Sequence, residues 1–334
     1  MRRLKLRVLA GTLALACGGA ASARAEVSEV RISKQYGLPY LSVVVMEQNR
    51  LIEKHAKVLG LGDIKVTWAT IGSGGTSTDA LLAGNLDFVT SGVSNMLLLW
   101  SRTGGQVKAL AAAAAVPLIM VTRNPNVKTI ADLSDKDKIA VPTVKVSMQS
   151  TILGIAAEKL VGEAGRGKFD PLTVAMAHPD ATAYLLSGGG ELTTHFSAPP
   201  YQYQELKAPG VHEILNSTEV MGGPATIAVV FTTTKFYDAN PKTIAAMNAA
   251  LGEAVDFIAK DRRGACELYL KASKEKLSVD ELVDMIAKPG FAFTLIPNGV
   301  MKYAEQMYKT GIIKSRPENW KDAFFPSAHS RPGS

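Results

Sequence analysis

Val66 to Ser94 reads VTWATIGSGGTSTDALLAGNLDFVTSGVS, and the reading of this stretch decides how the rest of the chain is understood. Val66-Thr67-Trp68 is β-branched and aromatic, the composition of a strand. Gly72-Ser73-Gly74-Gly75 follows, and without a Cβ at three of its four positions the backbone can turn tightly and lie close to a partner. Thr76 with Asp79 three residues on predicts a capping box, hence a helix whose first amides are free. Gly84-Asn85 stops that helix, Leu86 to Thr90 reads as a short buried strand, and Ser91-Gly92-Val93-Ser94 repeats the strand-to-loop pattern. Taken singly, each small-residue loop is equally well a plain turn. Two of them at the carboxyl ends of neighbouring strands mark the ligand crevice of an open α/β sheet. Neither is a nucleotide motif: Ser77 stands where the dinucleotide fingerprint has its third Gly or Ala, and no Gly-Lys-Ser/Thr follows for a P-loop.

At 334 residues, 47% hydrophobic and 20% charged, the chain is long enough for two globular domains. Residues 1–25 have the layout of a secretory signal peptide. Arg2, Arg3, Lys5 and Arg7 form the basic region, Val8 to Ala16 the apolar core, and Ala23-Arg24-Ala25 the cleavage site. The apolar run is well short of the roughly 20 residues of a spanning helix. The mature chain is therefore expected to begin at Glu26 and to reside in the periplasm. Losing the five basic residues of this segment takes the formal charge from +7 to +2, which removes any argument for a nucleic-acid partner. Cys17 leaves with the signal, so Cys266 remains alone and no intrachain disulfide is expected. A lipid anchor on Cys17 is the alternative, weakened by Ala14 where such signals normally carry Leu.

Upstream of the organising stretch, Val30 to Ser33 is the first strand and Gln35 to Tyr40 a loop. Leu41 to Leu59 reads as one helix with Val44, Leu51, Ala56 and Leu59 towards the core. Downstream, a helix is predicted around Asn95 to Thr103. Val107 to Val121 is almost wholly apolar and broken by Pro117, so it reads as two buried strands with a change of domain between them. Lys138 to Val141 and Leu172 to Met176 are strands. The loop Pro142 to Val146 leads into a helix capped by Ser147 or Thr143 and running to about Val161. His178-Pro179-Asp180 ends a strand before a helix over Ala181 to Leu186, and Glu191 to Phe196 is a strand closed by Pro199-Pro200. Ile227 to Phe231 mirrors the earlier apolar run as the return crossing. In the helical tail, Asn240-Pro241 opens a helix with Ile244, Met247, Leu251, Val255 and Ile258 on one face, Ser278 and Glu281 make a capping box, and Pro297 to Lys309 is the last helix. Short strands alternating with helices, in two units joined by two crossings, predict an α/β fold of largely parallel sheets.

Several phrases resemble a known family: QYGLPYL (35–41), GSGGTSTDALLAGNLDFV (72–89), TRNPNVKTIADL (122–133), HPDATAYLLSGGGELTTHFSAPP (178–200) and NWKDAFFP (319–326). They are similar to the substrate-binding proteins of ABC importers in the nitrate, sulfonate and taurine class, over about Val30 to Pro326. The resemblance implies the type II periplasmic-binding-protein fold, two α/β lobes closing on a small solute. Lobe one would span 26–118 and 232–334, and lobe two 119–231. It further implies a small anionic ligand, a permease and its ATPase as partners, a monomer, and no cofactor, metal or catalytic residue.

On that resemblance the ligand loops are Gln35, Tyr36 and Gly37 after the first strand, Gly74, Gly75 and Thr76 after the second, and Ser91, Gly92 and Ser94 after the third. Lobe two would add Thr143, Lys145, Ser147, His178, Asp180, His195 and Phe196. Amides at the helix starts near Thr76 and Ser147 favour an anion. Lys145 reads equally as a solvated loop lysine, and each histidine as a hydrogen-bonded core residue. His195 stands where related binding proteins usually carry a small residue. The chain also resembles, at fold level, pyrimidine-forming thiamin biosynthesis enzymes, which carry a cysteine cluster beside a histidine that Cys266 alone does not supply. No G-x-S-x-G elbow, HExxH, CxxC or calcium loop is present. A module presenting ligand to a membrane receptor is the third reading.

Overall fold

The computed structural model describes residues 25–334, so the expected signal segment lies outside the described residues except for Ala25. Strand β1 (Glu29–Lys34) leads through a 3-10 turn at Leu38–Tyr40 into α1 (Leu41–Gln48) and α2 (Leu51–Val58). One helix was expected here. Arg50 adopts the left-handed conformation, φ 50°, and interrupts it, and Leu59 follows the end of α2 and is exposed instead of buried. Next come β2 (Lys65–Thr70), α3 (Gly74–Leu82), β3 (Phe88–Gly92), α4 (Val93–Arg102) and β4 (Val107–Ala115). Strand β5 (Ile119–Thr122) follows directly, and Pro117, which has no amide to give a ladder, sits in the short link between the two.

The second unit continues with β6 (Lys138–Val141), α5 (Met148–Val161), β7 (Thr173–Ala175), α6 (His178–Ser187), β8 (Leu192–Phe196), α7 (Tyr201–Glu205), β9 (His212–Asn216) and α8 (Ser217–Met221). The chain then returns through β10 (Thr226–Thr233) and ends in α9 (Thr234–Ala239), α10 (Pro241–Lys260), α11 (Arg262–Ser273), α12 (Val279–Ile286) and α13 (Val300–Lys309).

The strands form two five-stranded sheets, β2-β1-β3-β10-β4 and β7-β6-β8-β5-β9. The two orders are the same permutation. In each, three parallel strands meet one antiparallel strand, β10 or β5, and that strand is the one arriving from the other unit. This is the type II periplasmic-binding-protein fold that the sequence implied. The return, however, comes earlier than expected. Residues 226–231, assigned above to the second lobe, pair within the first sheet. Ile227 to Phe231 is apolar because it is a central strand buried on both faces, and the link back is Gly222 to Ala225, where both glycines have positive φ.

The first link is tied to the start of α8, since Leu118 N donates to Ser217 Oγ at 2.8 Å and Ser217 N to Leu118 O at 2.9 Å. One apolar core lies between the first sheet and α1, α10 and α11, and holds Leu41, Phe88, Leu251 and Tyr269. A second runs unbroken from one unit to the other through Leu97, Ile152, Tyr303 and Met307, because α13 packs on both α4 and α5. Each such side chain contributes about 1.5–3 kcal/mol by leaving water. The expected cap of α10 is also replaced. Asn240 turns to Val27 N and Phe236 O, and the first amides of α10 are taken by Glu26, whose carboxylate accepts from Lys242 N at 2.8 Å and Thr243 N at 2.7 Å.

Candidate functional site

Four helices begin at the seam between the sheets. α3 and α4 start at the carboxyl ends of β2 and β3, and α5 and α6 at those of β6 and β7. All four starts contribute to one cavity, through Gly74, Gly92, Ser147 with Met148 and Gln149, and His178. The first amides of a helix have no carbonyl within their own helix, and the aligned peptide dipoles add about half a positive charge at that end. The cavity is small, about 30 Å³ reachable by the centre of a water molecule, which is room for one or two waters.

The sequence builds these starts in identifiable ways. Ser73, not Thr76, caps α3, accepting from Thr76 N at 3.4 Å, and its hydroxyl also meets Thr143 Oγ1 of the other unit at 3.2 Å. The helix therefore starts three residues earlier than the expected box would place it, and Thr76 is exposed on its outer side. Glycine is required at position 74, where a Cβ would sit 2.5 Å from Asn95 Oδ1 and 2.6 Å from Ser91 Oγ. At 92 a Cβ would sit 2.7 Å from Met148 Cγ, so the methionine would have to shift to admit one. No loop separates β3 from α4, so Ser91 belongs to the strand and Ser94 to the helix. Ser147 caps α5, accepting from Ser150 N at 3.2 Å.

Behind the apolar and glycine surface stands a polar framework. Gln35 Oε1 accepts from Tyr40 OH at 2.7 Å and Ser91 Oγ at 2.8 Å. Asn95 lines the cavity, nearly fully buried, and its Nδ2 makes no hydrogen bond. On the other wall His178 heads a buried series. Its Nε2 is 3.2 Å from Gln149 Nε2, its Nδ1 is 2.8 Å from His195 Nε2, and His195 Nδ1 is 2.6 Å from Glu205 Oε1. Thr182 Oγ1 donates to the same Glu205 oxygen at 2.6 Å, while Glu205 Oε2 has no partner. Burial, and then the neighbouring His195, hold the His178 pKa well below the usual histidine range.

Of the residues singled out from sequence, Gln35, Tyr36, Gly74, Gly92, Thr143, Ser147 and His178 line the cavity. Gly37, φ 106°, lies against Pro199 of the other unit, where Leu38 N donates to Pro199 O at 2.8 Å. Gly75 faces Thr143 at ordinary contact distance, Ser91 supports Gln35, and Ser94 is bonded to Met148, all just outside the lining. Lys145 is exposed at a left-handed loop position and acts electrostatically on Asp170. Asp180 is exposed in the first turn of α6, where an acid suits the helix dipole. His195 and Phe196 are fully buried; they are adjacent on β8 and therefore face opposite sides, one towards His178 and the other into the apolar core. Asn95, Met148, Gln149 and Tyr40 also line the site and were not singled out. The positions of Asn95, Met148 and Gln149 within the first turn of helices that begin at the seam were the available signal.

No protein-family model matches the chain, and no curated protein matches it in sequence. Solved structures do match. The alkanesulfonate-binding protein SsuA from Xanthomonas axonopodis pv. citri, bound to MOPS, is 18% identical with a TM-score of 0.67, over 93% of this chain and all of that one. The periplasmic aliphatic sulphonate-binding protein SsuA from Escherichia coli is 18% identical with a TM-score of 0.64, over 90% and 92%. The periplasmic nitrate-binding protein NrtA from Synechocystis PCC 6803 is 16% identical with a TM-score of 0.60, over 78% and 70%. The chain thus has the fold of the periplasmic binding proteins, and its structural neighbours include binding proteins of the sulfonate and nitrate class.

Proposed function

We propose that the chain is the solute-binding component of an ABC importer, exported to the periplasm by cleavage after Ala25 and binding a small anion as a monomer. One observation carries the anion: four helix N-termini, two from each sheet, converge on a cavity lined by the buried Asn95, whose amide Nδ2 is unpaired. Convergent donors of this kind suit a carboxylate-, sulfonate- or nitrate-like group. The small volume limits this cavity to a few ligand atoms, so an organic anion with a longer tail requires the sheets to part. A sulfonate- or nitrate-binding role in the neighbours supports the same class. The enzyme reading has less support, because Cys266 is buried in the helical core of the first unit and lines no part of the cavity.

A ligand that binds only the folded state raises stability by about 2.7 kcal/mol at a hundredfold excess over Kd. Thermal unfolding against sulfonates, carboxylates and nitrate, with sugars and cationic amines alongside, should find stabilising ligands among the anions. Stabilisation confined to sugars or amines would overturn the reading. Co-purification with a permease and ATPase, as opposed to a receptor kinase, distinguishes import from sensing.

A further inference from the structure

Among the described residues, those lining the cavity include no lysine or arginine, and His178 alone of them can carry a positive charge near neutral pH. Its proton can be placed from its partners. With the Gln149 amide oriented so that Nε2 faces it, His178 Nε2 is a bare acceptor and the proton sits on Nδ1. His178 Nδ1–H then donates to His195 Nε2, which leaves the His195 proton on Nδ1, donated to Glu205 Oε1. Both imidazoles are neutral in this arrangement. Glu205 is fully buried with one oxygen unpaired, and its hydrogen-bond partners are His195 and Thr182. An uncompensated buried carboxylate is costly. An anion placed in the cavity, on the opposite side of the histidine pair, meets the same lack of positive charge.

We propose that the cleft takes up one proton with each anion it binds, the proton entering at His178 Nε2 and its charge being shared by His178 and His195 between the anion and Glu205. This rests on the anion reading and adds its proton linkage. In the protonated pair His178 Nε2–H becomes a donor aimed into the cavity, and the Gln149 amide turns its oxygen to it or yields to the ligand. Transfer of Nδ1–H from His178 to His195 Nε2 moves the charge next to Glu205 without changing the donor at the cleft. On release the Nε2 proton returns to water, so protons and charge balance over the cycle.

The surroundings fit this assignment from every side. Tyr201 of α7 stacks on His178 at 5.8 Å between ring centres, Gln149 of α5 faces its outer nitrogen, and Thr182 of α6 and Glu205 of α7 close the inner end. Tyr201 in turn stands near Tyr269, Glu275 and Tyr36, and burial raises its own pKa, so it remains neutral. Burial keeps His178 uncharged in the free protein, so the proton arrives with the anion and not before it.

Calorimetry with methanesulfonate and nitrate, in two amine buffers of different ionisation enthalpy, reads the linkage on the unmodified protein. These anions come from acids too strong to bring a proton themselves near neutral pH. The expected uptake is about one proton per anion, with affinity falling about tenfold per pH unit on the alkaline side. Glu205→Gln, with its fold checked by circular dichroism, should lose the uptake and flatten that slope. An anion that binds with no proton exchanged overturns the linkage, and a Glu205→Gln protein with undiminished uptake overturns its assignment to the His178–His195–Glu205 series; both leave the anion reading intact. Failure of both anions to bind, with ligands found only among sugars or amines, overturns the anion reading itself.

Discussion

Ser94 and Met148 close the cleft on one another: the Ser94 amide and hydroxyl both reach the Met148 sulfur, at 3.3 and 3.0 Å. One residue belongs to the start of α4 and the other to the start of α5, so the contact joins the two units at the rim of the cavity. Thr151 Oγ1 donates to the same serine hydroxyl at 3.0 Å. The thioether is a soft, flexible filler that adapts to an irregular gap, and it is the side chain most able to give way when a ligand enters.

Met148→Ala should therefore have two effects. Truncating a buried methionine costs about 2–5 kcal/mol, and the space it leaves adjoins the ligand cavity. The variant should unfold at lower temperature while gaining affinity for longer sulfonates relative to nitrate. Unchanged stability and unchanged ligand preference, measured by thermal unfolding and calorimetry, would show that Met148 limits neither.

The glycine loop makes a sharper test at Gly74 than at Gly75. Valine at 74 drives its side chain into Asn95 and Ser91, which stand on the adjoining β3 and α4, whereas a Cβ at 75 finds Thr143 at 3.4 Å, an ordinary contact. Gly74→Val should abolish anion-induced stabilisation and lower stability by about 1–3 kcal/mol, the usual cost of overpacking. Gly75→Ala should bind nearly as the parent protein does. Equal loss in both would mean that the loop acts by its backbone conformation and not by close approach.

How much of this was legible in the sequence depended on how local the cause was. β6 is predicted residue for residue, and α5 with its end near Val161 but its cap open between Ser147 and Thr143, because Pro142 and the cap act within a turn of the elements they bound. Ser73 and Thr76 are both plausible caps by sequence, and in the structure it is Ser73 Oγ that accepts from Thr76 N. The return crossing was placed too late because an apolar run looks alike in a link and in a central strand. Glu205 was invisible: its partner His195 lies ten residues away on another element, and no local pattern announces a buried carboxylate. Lys145, which reads equally as a ligand charge and as a solvated loop lysine, is exposed at a left-handed loop position.

Glu26 offers a test at the chain's start. If cleavage follows Ala25, the mature protein opens on the residue whose carboxylate caps α10 through Lys242 N, Thr243 N and Thr243 Oγ1. Loss of a helix cap costs about 0.5–2 kcal/mol. A chain starting at Val27, or Glu26→Ala, should lose that much in denaturant unfolding, and Glu26→Asp part of it. No loss in either would mean that water replaces the cap. Intact mass of exported protein checks the cleavage itself, and a lipid-modified Cys17 at the N-terminus would contradict it.

The buried histidine pair predicts how unliganded stability varies with pH. His178 is held neutral by burial and by His195, with its folded pKa well below the ordinary value of about 6.5 that it regains on unfolding. Between those two values the unfolded chain binds the extra proton and the folded chain does not. Stability therefore rises with pH across that window, and is lost as pH falls from about 6.5 towards the folded pKa, at up to about 1.4 kcal/mol per pH unit. The depressed carboxylates act in a separate, more acid window. Glu281 is held at about 2 by Lys207 and Ser278, and Glu158 below its usual value by Arg166, so their stabilisation is present above the ordinary carboxylate pKa and lost as pH falls below it. His178→Gln should accordingly flatten the mildly acidic limb of a stability–pH curve and leave the strongly acid limb in place. In the parent protein a saturating anion should flatten the same limb, because the bound form accepts the proton that the free fold refuses. A mildly acidic limb of equal slope in the His178→Gln protein would assign it to other groups and remove the histidine pair as the titrating element.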